Sequence, residues 1–476
     1  MRRILLVEPG YRNKYPPLGL MKISSYHKLK GDFVHFVKGC VSEARQQQWD
    51  RIYISTLFTF YWKTTVDTVN YYRQAVASAE HILVGGVTAT LLSDELHEAT
   101  GATVIAGLLD RPGMLDPGDK QRVDVLTPDY RMLEEIDYDY GLKDAYIGYA
   151  TRGCPNCCEF CAVSRIEPGF SDYLPLKKQV RSIEEVYGSK QHLVLLDNNV
   201  LASDRFEQII EDIIDLGFEK GARLNKKFRH VDFNQGIDLR RLTPDKMRLL
   251  AQIALKPLRL AFDHIELKED YIDRVRLAVD CGITHLSNYV LYNYTDTPQD
   301  FYERLRINAE LNQELGTQIY SFPMKYIPLN AKDRAYIGKH WNRRLLRGVQ
   351  CILVATRGMV GTHLDFFEAA FGATPAEFIE IASMPEDYII HRRKHENNGA
   401  LDWKRLYQAL SASERMILAS VADGKRVSTS DIEGGYPDRV RELLSHYVVA
   451  DGKIKVKEIT DLQLDLRLGD DSKKIA

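Results

Sequence analysis

Tyr149-Ala-Thr-Arg-Gly-Cys-Pro-Asn-Cys-Cys-Glu-Phe-Cys161 puts four of the chain's seven cysteines within eight residues, directly after an apolar stretch. Cys40, Cys281 and Cys351 stand alone. A structural thiol packs as a small hydrophobe anywhere in a core, so such crowding calls for a chemical reason. Two ligand triplets can be read from it: Cys154, Cys158 and Cys161, or Cys154, Cys157 and Cys161. Three thiolates on one tight loop suit a [4Fe–4S] cluster and leave one iron without a protein ligand. Open coordination is where a metal does chemistry. Zinc would take two of these cysteines and a second Cys/His pair, and no second Cys-x-x-Cys exists. A disulfide suits an exported chain, which nothing here marks. A redox pair of Cys154 and Cys157 leaves two thiols unexplained.

Arg152-Gly-Cys-Pro-x-x-Cys158-x-Phe160-Cys161 resembles the cluster loop of radical S-adenosylmethionine (SAM) enzymes, in particular the subgroup with an N-terminal cobalamin-binding-like domain. The resemblance implies that Cys154, Cys158 and Cys161 ligate the cluster, with Cys157 a bystander. It implies that the open iron chelates the amino and carboxylate groups of SAM. One electron, from a donor such as flavodoxin or ferredoxin, then yields methionine and a 5′-deoxyadenosyl radical. Phe160 holds the place of the aromatic residue that packs near the adenine.

A length of 476 residues allows two to four domains. Residues 1–140 alternate short apolar runs with helical patterns, which predicts a parallel α/β sheet with strands at 4–7, 33–37, 51–55, 81–84 and 103–106. Tyr15-Pro-Pro-Leu-Gly19 after the first strand and Gly85-Gly86 at a strand end resemble the cobalamin-binding domain of the same subgroup. Cobalamin is therefore a candidate cofactor, although the motif Asp-x-His-x-x-Gly is absent and Gly107-Leu-Leu-Asp110 stands where relatives often carry Gly-Glu-Gly-Glu. The alternative is a degenerate Rossmann-like domain that shapes the substrate entrance. His27, His35, His81 and His97 read as surface or packing histidines.

Residues 141–330 repeat strand and helix six times, with strands at 145–151, 192–196, 228–233, 259–262, 285–292 and 318–323. Six units are the number the resemblance implies for a partial (β/α)6 TIM-like barrel. Ligand groups gather at the C-terminal ends of barrel strands. Polar residues stand there: Asp197-Asn-Asn199, Asn234 to Asp238, Asp263-His264, Asn288, Asn293 and Lys325. Asn199, Gln235, Asp263 and Asn288 are the SAM-binding candidates. A single such residue is as well explained as a helix cap, but five successive strand ends are not.

Residues 331–398 read as a mainly helical basic extension. Lys332, Arg334, Lys339, Arg343, Arg344 and Arg347 interleave with Tyr336 and Trp341, a mixture that suits phosphate and base contacts as well as a solvated helix face. Residues 399–476 read as a winged-helix-like domain closed by a hairpin turning at Asp451-Gly452, followed by an acidic-apolar tail. The fold class expected is thus α/β: a Rossmann-like domain, a partial barrel and a small α+β end.

A net charge of −2 neither demands nor excludes nucleic acid. The apolar run after Met1-Arg-Arg is too short for a signal peptide, and no stretch approaches the roughly 20 apolar residues that span a bilayer. With free thiols, a reducing cytoplasm is expected, and no membrane. The expected activity is a radical SAM enzyme acting on an unidentified small molecule, nucleotide or nucleic acid. A transferase that moves a methyl group with cobalamin, or a lyase or rearrangement without it, fits that expectation. The competing expectation is a non-catalytic Fe–S, winged-helix regulator that binds nucleic acid.

Overall fold

The computed structural model describes residues 1–358, 360–423 and 427–448. The chain divides into two compact units, Met1–Arg259 with Ile327–Tyr336, and Leu260–Tyr326 with Ile337–Ala476. The division falls inside the stretch 141–330 that the sequence suggests as one barrel.

The first unit opens with β1 (Arg3–Glu8), β2 (Phe33–Lys38), β3 (Arg51–Thr56), β4 (Ile82–Gly86) and β5 (Thr103–Ile105), each at the place expected from its apolar run. They form one parallel sheet in the order β2-β1-β3-β4-β5. Ile4, Leu5, Leu6 and Val7 are all fully buried, the continuous apolar run of a parallel strand covered on both faces. Gly86 closes β4 with φ of +103°, and a Cβ there would stand 2.4 Å from the Thr56 carbonyl oxygen. The position therefore requires glycine.

A second parallel sheet follows, formed by β6 (Ala145–Gly148), β7 (His192–Leu195) and β10 (Val231–Phe233) in the order β10-β7-β6. Between β7 and β10 lies a small antiparallel hairpin, β8 (Arg223–Leu224) and β9 (Lys227–Phe228), turning at Asn225 and Lys226 with positive φ. The amphipathic helices Leu176–Tyr187 and Phe206–Asp215 make the crossovers and bury Val180, Ile183, Ile209, Ile210 and Ile213. Thr243 caps helix Pro244–Leu250 by accepting the Lys246 N–H.

The division falls within β11 (Leu258–Ala261), the first strand of a three-stranded sheet ordered β11-β12-β13; in the second unit, β12 (His285–Tyr292) pairs in parallel with β13 (Gln318–Lys325). Helix Pro298–Leu315 links β12 to β13 and starts at a reciprocal cap between Thr297 and Asp300. From it the fully buried Arg304 donates to the carbonyls of Phe262 and Asp263 and pairs with Asp296. Helices from Arg343 to Leu444 pack around Phe367, Phe371, Phe378 and Trp403. Several cations of the basic stretch are engaged locally. Arg344 is buried, and Arg347 forms a paired contact with Glu386. In helix Asp438–Leu444, Val440, Leu443 and Leu444 are buried, Arg441 pairs with Asp438, and Arg439 donates to the Ala409 carbonyl. The hairpin and tail expected beyond Val448 lie outside the described residues. Among the described residues no helix is long and apolar enough to cross a membrane.

Candidate metal and cosubstrate site

The cysteine loop leaves β6 in the first unit and is tied down by charge on both sides. At its entry the Asp197 carboxylate, 1% exposed, accepts the N–H of Ala150 at 3.0 Å, the N–H of Thr151 and the Thr151 hydroxyl at 2.7 Å. Asp197 stands just past the end of β7, so one strand end anchors the exit of its neighbour. Burial pushes its carboxyl up to about 6, against the pull of those donors.

Arg152 is the second tie. Its guanidinium bridges Glu167 at 2.8 Å and Asp124 at 2.9 Å, and lies 3.9 Å from the Tyr149 ring centroid. Lys22 shares Asp124, and Asn198 donates to Glu167, which also accepts the Gly153 N–H. The Arg152 and Ser171 main chains exchange two hydrogen bonds. Gly153 has φ of +73°, and a Cβ there would overlap the Gly169 carbonyl oxygen at 1.9 Å. The loop thus enters its cysteines in one fixed direction.

Within the loop, Cys154, Cys158 and Cys161 are half-buried and Cys157 is exposed. The Cys154 sulfur accepts from the Asn156 N–H at 3.4 Å and from Asn199 Nδ2 at 3.5 Å. Cys161 N–H bonds the Cys158 carbonyl and closes a tight turn. Asp238, beyond β10, gathers Asn156 at 2.9 Å, Asn199 at 3.1 Å and Arg240 at 2.8 Å. Arg240 is held above the ordinary guanidinium range by its bond to Asp238, and the Cys158 thiol adds to that. Donors therefore face Cys154 and Cys158.

Among the described residues, no three His, Cys, Asp or Glu side chains converge as the ligands of a single ion do. A cubane asks for a different arrangement, because each thiolate binds a separate iron around the cluster. Three half-buried thiols on one loop, two of them with hydrogen-bond donors directed at them, fit that donor set. Asn199 adds a second sign of a missing partner: it is buried, and its Oδ1 meets no hydrogen-bond donor.

The other sequence candidates are distributed as follows. Phe160 is half-buried in the loop. Gln235 is exposed, with its amide donating to Asn234 Oδ1 at 3.4 Å, and Asn234 in turn donates to the Tyr15 hydroxyl. Asp263 and Asn288 belong to the second unit. Asp263 is half-buried, whereas Asn288 is fully buried, donates to the Tyr271 hydroxyl and leaves its Oδ1 unpaired. Asp238, Asn156 and Glu167 are the residues that sequence reading missed as organisers of the loop. Asp238 was visible as a strand-end acid, but its reach to Asn156 was not.

In the N-terminal domain three of the four histidines have local partners. His27 is buried between Asp32 and Tyr53, His35 meets Glu135, and His97 meets the Ala102 carbonyl.

No family model matches the chain, and no curated protein is significantly similar to it. Among solved structures, it is similar to the cobalamin-dependent S-adenosylmethionine radical enzyme OxsB, solved with aqua-cobalamin and S-adenosylmethionine bound. That similarity has 15% identity and a TM-score of 0.44, and covers 65% of this chain and 52% of that one. A second similarity is to Streptococcus suis SuiB bound to the precursor peptide SuiA, with 12% identity and a TM-score of 0.30, covering 46% of this chain and 48% of that one. The chain thus spans about half the length of each.

Proposed function

We propose that the chain is a radical SAM enzyme in which Cys154, Cys158 and Cys161 hold a [4Fe–4S] cluster. The observation that carries this reading is the contrast on the loop. Three thiols are half-buried, two of them facing donors from Asn199 and Arg240, and the fourth, Cys157, is exposed. Hydrogen bonds to thiolate sulfur tune a cluster's potential. A cluster held there would supply the electron for reductive cleavage of SAM.

The chain's own residues position the partners. Arg152, Glu167 and Asp197 fix the loop, and Asp238 orients Asn156 and Asn199. The buried, unpaired Asn199 Oδ1 is an acceptor awaiting an N–H or O–H group of SAM. Phe160 offers its ring to the adenine and Gln235 an exposed amide. Cobalamin remains a candidate cofactor of the N-terminal domain. It would draw no ligand from His27, whose two ring nitrogens meet Asp32 and Tyr53, without breaking those bonds, and no step here depends on it. The reaction takes place on a small molecule, nucleotide or nucleic acid, with an electron donor such as flavodoxin or ferredoxin. The test is reductive cleavage of SAM by reconstituted protein, with Asn199→Ala lowering SAM affinity while cluster content is unchanged.

A further inference from the structure

In a parallel sheet ordered β2-β1-β3-β4-β5, the connections leave β1 and β3 in opposite directions, and the crevice at their carboxyl ends is where such folds take ligands. Aromatic side chains occupy that place. Tyr11 follows β1, and Phe58, Phe60 and Tyr61 follow β3. Tyr11 and Tyr61 lie 4.9 Å apart, Tyr61 and Phe60 4.8 Å, and Phe60 and Phe58 5.1 Å with rings nearly parallel. The series runs from a buried tyrosine outward to Phe58, which is 53% exposed. Burial does not account for placing a phenylalanine on the surface at the end of a stack.

One cation reaches this stack, and a second the ring of Trp62, the next residue after Tyr61, both from the segment Ile327–Tyr336, which is more than 260 residues away in sequence but belongs to the same unit. Arg334 lies 4.0 Å from the Phe60 ring centroid, and Lys332 lies 4.1 Å from that of the adjacent Trp62. Lys332 is exposed, and the one acid between the two cations, Asp333, turns back to cap the Ala335 N–H. A flat apolar face with positive charge beside it is the chemistry that holds a base and its phosphate.

We propose that this surface binds a nucleotide unit, with its base stacked on the outer face of Phe58 and its phosphate beside Lys332 and Arg334. The unit is either a free nucleotide or one position of a single strand. The inference goes beyond the SAM-cleavage reading and is measured without it.

The test is binding of the full chain to AMP and to a fluorescein-labelled 12-nucleotide oligo-dT and oligo-U, by calorimetry and anisotropy, at 50 mM and 300 mM salt. Wild type is expected to bind. Phe58→Ala is expected to weaken binding about tenfold or more, from the ~1–3 kcal/mol of one base stack. Lys332→Ala is expected to weaken it across sequences and to lower the salt slope by about one for an oligonucleotide. Both side chains are at the surface, so the variants should keep the wild-type melting temperature. AMP binding that competes fully with the oligonucleotides identifies a free nucleotide as the ligand, and oligonucleotide binding alone identifies a strand. Absence of binding by all three probes at 50 mM salt, or binding that Phe58→Ala and Lys332→Ala leave unchanged, overturns the proposal.

Discussion

Asp197 provides the sharpest quantitative test of how the cysteine loop is held. Its carboxylate is the acceptor for two fully buried main-chain N–H groups, those of Ala150 and Thr151, and for the Thr151 hydroxyl. Asp197→Ala leaves both N–H groups buried and unpaired, at about 1–3 kcal/mol each, so about 4 kcal/mol in total. At 1.36 kcal/mol per factor of ten, amide exchange at 150 and 151 should rise roughly a thousandfold over Asp197→Asn. The asparagine keeps an oxygen for these donors, because the Ala150 N–H already reaches Oδ1 at 3.0 Å. Wild type should fall between them as a function of pH. The folded carboxyl is raised from 3.8 to about 6, so the native state binds more protons than the unfolded chain between those values. Stability from this group is therefore present below about pH 4 and lost as pH rises through 6. The loss is about 3 kcal/mol, the shift multiplied by the energy per unit. Hydrogen exchange at pH 4–7.5, corrected for intrinsic rates, reads all three proteins. Alanine and asparagine variants that exchange within threefold of each other would refute the role of these hydrogen bonds. A wild-type pH dependence identical to that of Asp197→Asn would refute the buried charge.

Other consequences follow from the same loop. Gly153→Ala forces a Cβ onto the Gly169 carbonyl at positive φ, so the purified variant should hold less than a tenth of wild-type iron by colorimetric assay after reconstitution. Glu167→Ala leaves Arg152 with Asp124 as its one acidic partner and removes the acceptor of Gly153 and Asn198. It should cost about 3–5 kcal/mol, read as a lowered midpoint in urea unfolding. Gln235→Ala, at an exposed position, should weaken SAM binding by calorimetry while the cluster absorbance stays at wild-type level; unchanged affinity would remove Gln235 from the site.

The strands were legible where an apolar run is buried on both faces. Ile4–Val7 is read from sequence at its observed place, and all four of its side chains are buried. The cysteine loop was legible because four thiols crowded into eight residues point to cluster ligation before any fold is known. Contacts that depend on distant partners were not. Asn156 and Asp238 are 82 residues apart, and nothing local to either indicates that they meet. The hairpin at Asn225 and Lys226 was not legible, since its turn lacks the glycine that usually marks one. Its cations also serve the fold: Arg229 donates to the carbonyls of Leu216, Gly217 and Lys190. Within the stretch 332–347, charge in the sequence likewise does not show which cation is buried, as Arg344 is, or paired, as Arg347 is.

The central claim is that Cys154, Cys158 and Cys161 hold a cluster at which SAM is cleaved. It is tested most directly by quantifying 5′-deoxyadenosine from anaerobically reconstituted, dithionite-reduced protein with SAM, comparing wild type, Cys157→Ala and Cys158→Ala. Product is predicted from wild type and Cys157→Ala and none from Cys158→Ala. Product from Cys158→Ala but not Cys157→Ala would contradict the ligand set, and no product from wild type with its cluster intact would contradict the assigned chemistry.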